Sequence, residues 1–142
     1  MKKPDAKYRT MVEDFPAGTC WLCGHVIDRC RPSWWAGVWC PHRAHIVHQP
    51  RREVRQAATI LCGVCHGLSH GETYAACRDA PRPTVANMLW AKKKHDPAFF
   101  DLDWLQKHSI RRLPEPEPPV DEFFSACAKL YGDTFTRILS VA

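Results

Sequence analysis

The rhythm of hydrophobic and polar positions changes several times along this 142-residue chain. Residues 1–18 keep no sustained period, and Pro4, Pro16 and Gly18 argue against a long helix there, which predicts a polar, basic arm. Residues 19–75 carry short patterns. The aromatic run Trp34-Trp35-Ala36-Gly37-Val38-Trp39 and the stretch Ala44-His45-Ile46-Val47-His48 predict two strands, followed by a helix that starts near Cys65. Residues 76–113 read as a helical extension packed on this core. After Pro81 and Pro83, Thr84 can cap a helix running to about Lys94, with Val85, Met88, Leu89 and Trp90 as its buried side. His95-Asp96-Pro97 ends it, and Phe99, Phe100, Leu102, Trp104 and Leu105 predict a second short piece. The proline-rich run over 114–119 is a stiff extended linker, and 120–142 fit an amphipathic helix whose apolar side carries Phe123, Phe124, Cys127 and Leu130. The pattern predicts a small α+β protein with helical C-terminal extensions.

The cysteines sharpen this picture. Cys20-x-x-Cys23 and Cys62-x-x-Cys65 are two short loops, each able to aim both sulfurs at one point about 2.3 Å from a zinc ion. Together they predict a tetrahedral four-cysteine site, with Gly24 relieving the backbone of the first turn. The core is short enough for a structural metal to supplement its apolar burial. Cys30, Cys40, Cys77 and Cys127 are read as small buried apolar residues. The second pair runs directly into Cys65-His66-Gly67-Leu68-Ser69-His70, where a spacing of four sets two imidazoles one helical turn apart.

Charge and compartment add less. There are 20 Lys and Arg against 15 Asp and Glu, a net +5 that suits a polyanionic partner without demanding one. Arg51, Arg52 and Arg55 cluster in the segment that holds the metal motif, which points them toward phosphate; Lys92 to Lys94 read as a solvated run. Met1, Lys2 and Lys3 lead into no apolar signal segment, and no stretch approaches a membrane span. The expectation is a cytoplasmic protein, without a membrane partner, whose thiols are reduced or metal-bound.

Three blocks resemble a known family. Cys20-x-x-Cys23, then Ala44-His45-Ile46-Val47, then Leu61-Cys62-x-x-Cys65-His66-x-x-x-His70 is similar to the zinc-stapled HNH endonucleases, the ββα-metal nucleases. Met88-Leu89-Trp90-Ala91-Lys92-Lys93 with His95-Asp96-Pro97 resembles the tail of some phage-type members, which would place the protein in a bacterial or phage-infected cell. The resemblance covers roughly residues 19–106. It implies an HNH core on a four-cysteine zinc site, and hydrolysis of DNA phosphodiester bonds. His45 would be the general base, and His66 with His70 would hold a catalytic divalent ion, Mg²⁺ or another. The family usually has Asp, Glu or His before the base and an asparagine before the second knuckle. Ala44 and the stretch Gln56-Ala57-Ala58 stand there instead, with His42, His48 and Gln56 in reach as substitutes.

Other readings exist for the same residues. Cys62-Gly63-Val64-Cys65-His66 also fits a haem attachment site, which would need export and would leave the first knuckle unexplained. A redox pair would need a βαβ setting that is lacking. A second class of function is a zinc-stapled nucleic-acid-binding or adaptor module that kept the scaffold without the chemistry. The apolar side of the last helix packs on the same chain by default, with a homodimer or a protein partner as the other option. His95 and His108 are assigned to the surface, and Trp34, Trp35 and Trp39 to the core or an interface.

Overall fold

The computed structural model describes residues 6–11, 19–25, 42–47, 54–71 and 81–129. The predicted strand over 34–39, Cys30, Cys40, Cys77 and the chain beyond residue 129 lie outside them. The described elements make a small α+β arrangement with a two-stranded antiparallel sheet.

Strand β1 (His42–His45) pairs with β2 (Ala58–Leu61) in the register His42 to Leu61, Arg43 to Ile60, Ala44 to Thr59 and His45 to Ala58. The strand at Ala44-His45 was expected, but its partner here is a segment the hydrophobic rhythm did not single out. Ala58-Thr59-Ile60-Leu61 is buried at all four positions, so it lacks the polar alternation that marks a half-buried strand. A short 3₁₀ turn, Arg55–Ala57, leads into it, and Ile46 N–H donates to the Ala57 carbonyl at 2.7 Å, which fixes the return of the chain. Trp21 N–H donates to the Ile60 carbonyl at 3.0 Å, tying the first knuckle to β2.

The N-terminal segment differs from the expected arm. Helix α1 (Ala6–Thr10) is short, yet Tyr8 and Met11 are buried in the core. Their spacing of three puts both on one helical face. Helix α2 (Gly63–Ser69) starts at the second knuckle, with the Cys62 side chain as its N-cap acceptor from Cys65 N–H.

Helix α3 (Val85–His95) starts where the sequence places it. Thr84 and Asn87 form a reciprocal capping box at 3.0 and 3.1 Å, and Asp96-Pro97 stops the helix. Of its expected buried side, Met88 and Leu89 are buried and Trp90 packs partly buried against the core. Leu89, Ala91 and Lys92 are wholly buried, whereas Val85 is 42% exposed. Asn87 also donates to the Glu117 carbonyl at 2.9 Å, and Glu117 N–H donates to the Ala86 carbonyl. The proline-rich run is thus fastened to the start of α3.

A 3₁₀ turn (Pro97–Phe99) and α4 (Leu102–Lys107) follow, the latter capped by Asp101. Residues 121–129 form a last helical stretch, α5, which buries Phe123 and Cys127 in the same apolar cluster as Trp21, Leu61 and Leu89. Packing on its own chain is therefore what α5 does. No helix among the described residues is long and apolar enough to cross a membrane.

Candidate metal centre and histidine cavity

The four knuckle cysteines come together. One sulfur from each of Cys20, Cys23, Cys62 and Cys65 lies within 4.8 Å of all the others, forming a group that could hold a metal ion such as zinc. A Zn–S bond of about 2.3 Å implies a sulfur–sulfur edge of about 3.8 Å in a tetrahedron. Cys23 Sγ and Cys62 Sγ are 3.9 Å apart, so the donor spacing fits. The local backbone explains the aim of these side chains. Cys23 N–H points to Cys20 Sγ at 3.5 Å, and Cys65 N–H to Cys62 Sγ at 3.4 Å. Gly24 N–H donates to the Cys20 carbonyl at 3.0 Å, and Gly24 closes the turn at φ +81°. That is a left-handed conformation glycine adopts at little cost.

A fifth sulfur, Cys127 on α5, abuts Cys23 and Cys65 and is buried. Contacts with Cys127, then with Cys20, push the Cys23 and Cys65 thiols up, while hydrogen bonds from Cys23 and Cys65 draw Cys127 down to about 4. Burial opposes ionisation of Cys20, but hydrogen bonds from the other three knuckle sulfurs outweigh it and lower that thiol. A bound metal ion would supply the positive charge that lets several crowded sulfurs ionise together. The sequence reading made Cys127 a small buried apolar residue, and it is buried, but its contact with the knuckle sulfurs was not foreseen. Only its i, i+4 relation to Phe123 on a buried helix face hinted at the core.

The three predicted imidazoles share one cavity. His45, His66 and His70 line a pocket of about 150 Å³ together with Ala44, Val85 and Met88. β1 brings His45; α2 brings His66, and His70 caps its C-terminus, donating N–H to the Gly67 carbonyl at 3.0 Å. His66 Nε2 and His70 Nε2 are 3.1 Å apart. Two ligands at about 2.1 Å on adjacent corners of an octahedral ion stand about 3.0 Å apart, so this pair fits two positions of one cation. Among the described residues, however, only the four cysteines form a group of three or more potential ligands this compact.

Two neighbours of this cavity were not singled out for these contacts. Tyr8 Oη lies 3.0 Å from His45 Nε2, with the two rings stacked at 5.8 Å. Arg43 in turn donates to the Tyr8 carbonyl at 3.1 Å and sits over its ring. On the other side, His42 Nδ1 is 2.8 Å from His66 Nδ1, with the rings nearly perpendicular. Burial lowers the His42 pKa, favouring the neutral ring.

Arg51 and Arg52 lie outside the described residues. Arg55 is buried, held by Asp96 at 2.8 and 3.0 Å and stacked over Phe99, which places it in the core and not on a surface a phosphate backbone could reach. Its role as a DNA contact is replaced by a structural one. Arg82, exposed beside the cavity wall, donates to the Ser69 carbonyl at 2.9 Å. His95, expected on the surface, stacks on Trp21 at 5.9 Å. A larger hollow of about 410 Å³ between Gln56 and residues 98–104 contains no thiol or imidazole.

Comparison of the chain with protein families, curated proteins and solved structures finds no match.

Proposed function

We propose that this protein is a metal-dependent DNA endonuclease of the HNH type, built on a zinc-stapled ββα-metal core. The observation that carries the reading is the gathering of His45, His66 and His70 around one cavity, beside a four-cysteine group of tetrahedral spacing. The exposed guanidinium of Arg82 next to that cavity supports an anionic ligand there.

The chemistry follows from the ring nitrogens. With its proton on Nε2, His45 donates to Tyr8 Oη and carries its lone pair on Nδ1, the nitrogen that would take a proton from water as the oxygen attacks phosphorus. Tyr8 and β1 hold the ring in place while this happens. His66 and His70 would hold the divalent ion, which would supply charge stabilisation for the phosphate and the leaving 3′ oxygen. Two imidazole donors suit a transition ion better than Mg²⁺, which prefers oxygen ligands.

Plasmid cleavage in Mg²⁺, Mn²⁺, Co²⁺ or Ni²⁺, comparing the parent with His45→Ala, tests the proposal. Cleavage by the parent alone supports it. Equal cleavage by both proteins, or none by either in any metal, counts against it.

A second reading, a zinc-stapled nucleic-acid-binding or adaptor module, is favoured by one observation. Ala44 puts a methyl group on the strand where a ligand would stand, leaving two imidazoles for the ion. That reading expects salt-dependent DNA binding with one tightly held zinc and no second ion.

A further inference from the structure

A histidine can serve a cation only through a nitrogen that carries a lone pair. His66 is flanked on both sides: its Nδ1 lies 2.8 Å from His42 Nδ1, and its Nε2 lies 3.1 Å from His70 Nε2. A neutral imidazole has one N–H and one lone pair, so only two arrangements satisfy both contacts. In the first, His66 carries its proton on Nδ1, donates to His42, and leaves Nε2 as a lone pair beside His70. In the second, His66 donates from Nε2 to His70 and accepts from His42. The first alone offers Nε2 to an ion that His70 also reaches.

β1 supplies the acceptor that the first arrangement needs. His42 is two residues before Ala44, hence on the same face of the strand, and its backbone position is fixed by the register with Leu61. The Ala44 side chain has no polar atom to offer. The ring one pleat earlier does, and it meets His66 edge-on at 88°. A ligating histidine is normally oriented by an acceptor for its other N–H. We infer that His42 is the positioning residue of the cation site: it accepts the Nδ1–H of His66 and thereby turns the Nε2 lone pair toward the position shared with His70. The inference rests on the reading of His66 and His70 as cation ligands. His42 acts through His66 and does not touch the ion.

The experiment pairs two measurements on the zinc-loaded protein. Long-range ¹H–¹⁵N spectra report the tautomers directly, with His66 expected to be protonated on Nδ1 and His42 on Nε2. Calorimetric titration with Ni²⁺ then compares the parent with His42→Ala, His42→Gln and His70→Ala. His42→Ala is expected to weaken Ni²⁺ binding about 10- to 100-fold. His42→Gln, whose Oε1 can accept the same proton, should recover most of that loss, and zinc content should stay at the parent level. A His66 protonated on Nε2, or equal Ni²⁺ affinity in the parent and His42→Ala, overturns the inference. If the parent itself takes up no Ni²⁺, the ligand reading fails separately, and the tautomers still decide the role of His42: protonation on Nδ1 of His66 supports it and protonation on Nε2 overturns it.

Discussion

Arg55 and Asp96, 41 residues apart in the chain, meet in a buried two-point ion pair at 2.8 and 3.0 Å. Lys92 Nζ joins them from inside α3, 2.6 Å from both Asp96 Oδ2 and the Arg55 carbonyl. One carboxylate thus serves two buried cations, and together they bind the approach to β2 to the end of α3. Removing it leaves both cations in the core uncompensated, the costliest way to break such a group. Asp96→Ala should therefore lose about 3–5 kcal/mol of stability in urea denaturation. A loss below 1 kcal/mol would show that water reaches the site.

Burial lowers the Lys92 pKa to about 8, against its ordinary 10.5, despite the Asp96 contacts. The unfolded chain then binds a proton at Lys92 that the folded chain has released at any pH between these values. Stability contributed by this group accordingly rises with pH from about 8 to 10.5 and is flat below. Lys92→Met should flatten that part of the stability–pH curve. Chemical denaturation of both proteins at pH 7, 8, 9 and 10 measures the difference.

Cobalt substitution probes the sulfur group. Four thiolates at tetrahedral spacing should give intense sulfur-to-cobalt charge-transfer bands, and Cys23→Ser should diminish them. Because both knuckles are built into the core, stripping the metal with a chelator should abolish the cooperative thermal transition and not merely shift it. A chelated protein that still melts cooperatively at the same temperature would refute a structural metal.

Tyr8 provides a finer test of the proposed base. Tyr8→Phe keeps the stacked ring and removes the hydroxyl 3.0 Å from His45 Nε2. Cleavage should fall by about tenfold, a part of the roughly 10²- to 10⁴-fold that a positioned base contributes, while zinc content and melting temperature stay near the parent values. Unchanged cleavage would mean that another group holds the ring.

The parts that were legible in the sequence are those specified by neighbours in the chain. Both knuckles depend on a spacing of three, and α3 on Thr84 at one end and Asp96-Pro97 at the other. The parts that were not depend on distant partners. Ala58–Leu61 has no alternation to announce it as a strand, and its match with His42–His45 is a fact of register. Lys92 reads as one of three solvated lysines until Asp96 and Arg55 are seen beside it. Tyr8, His42 and Cys127 each take their place from contacts 24 or more residues away, which no local pattern encodes.

The short helix α2 starts on Cys62 and Cys65 and finishes at His66 and His70. Sulfur cluster and imidazole pocket are consequently two ends of a single rigid lever about ten ångströms long. Emptying a metal from the sulfur end would therefore free the far end to drift as well, so the pocket's alignment would depend on an ion it never touches.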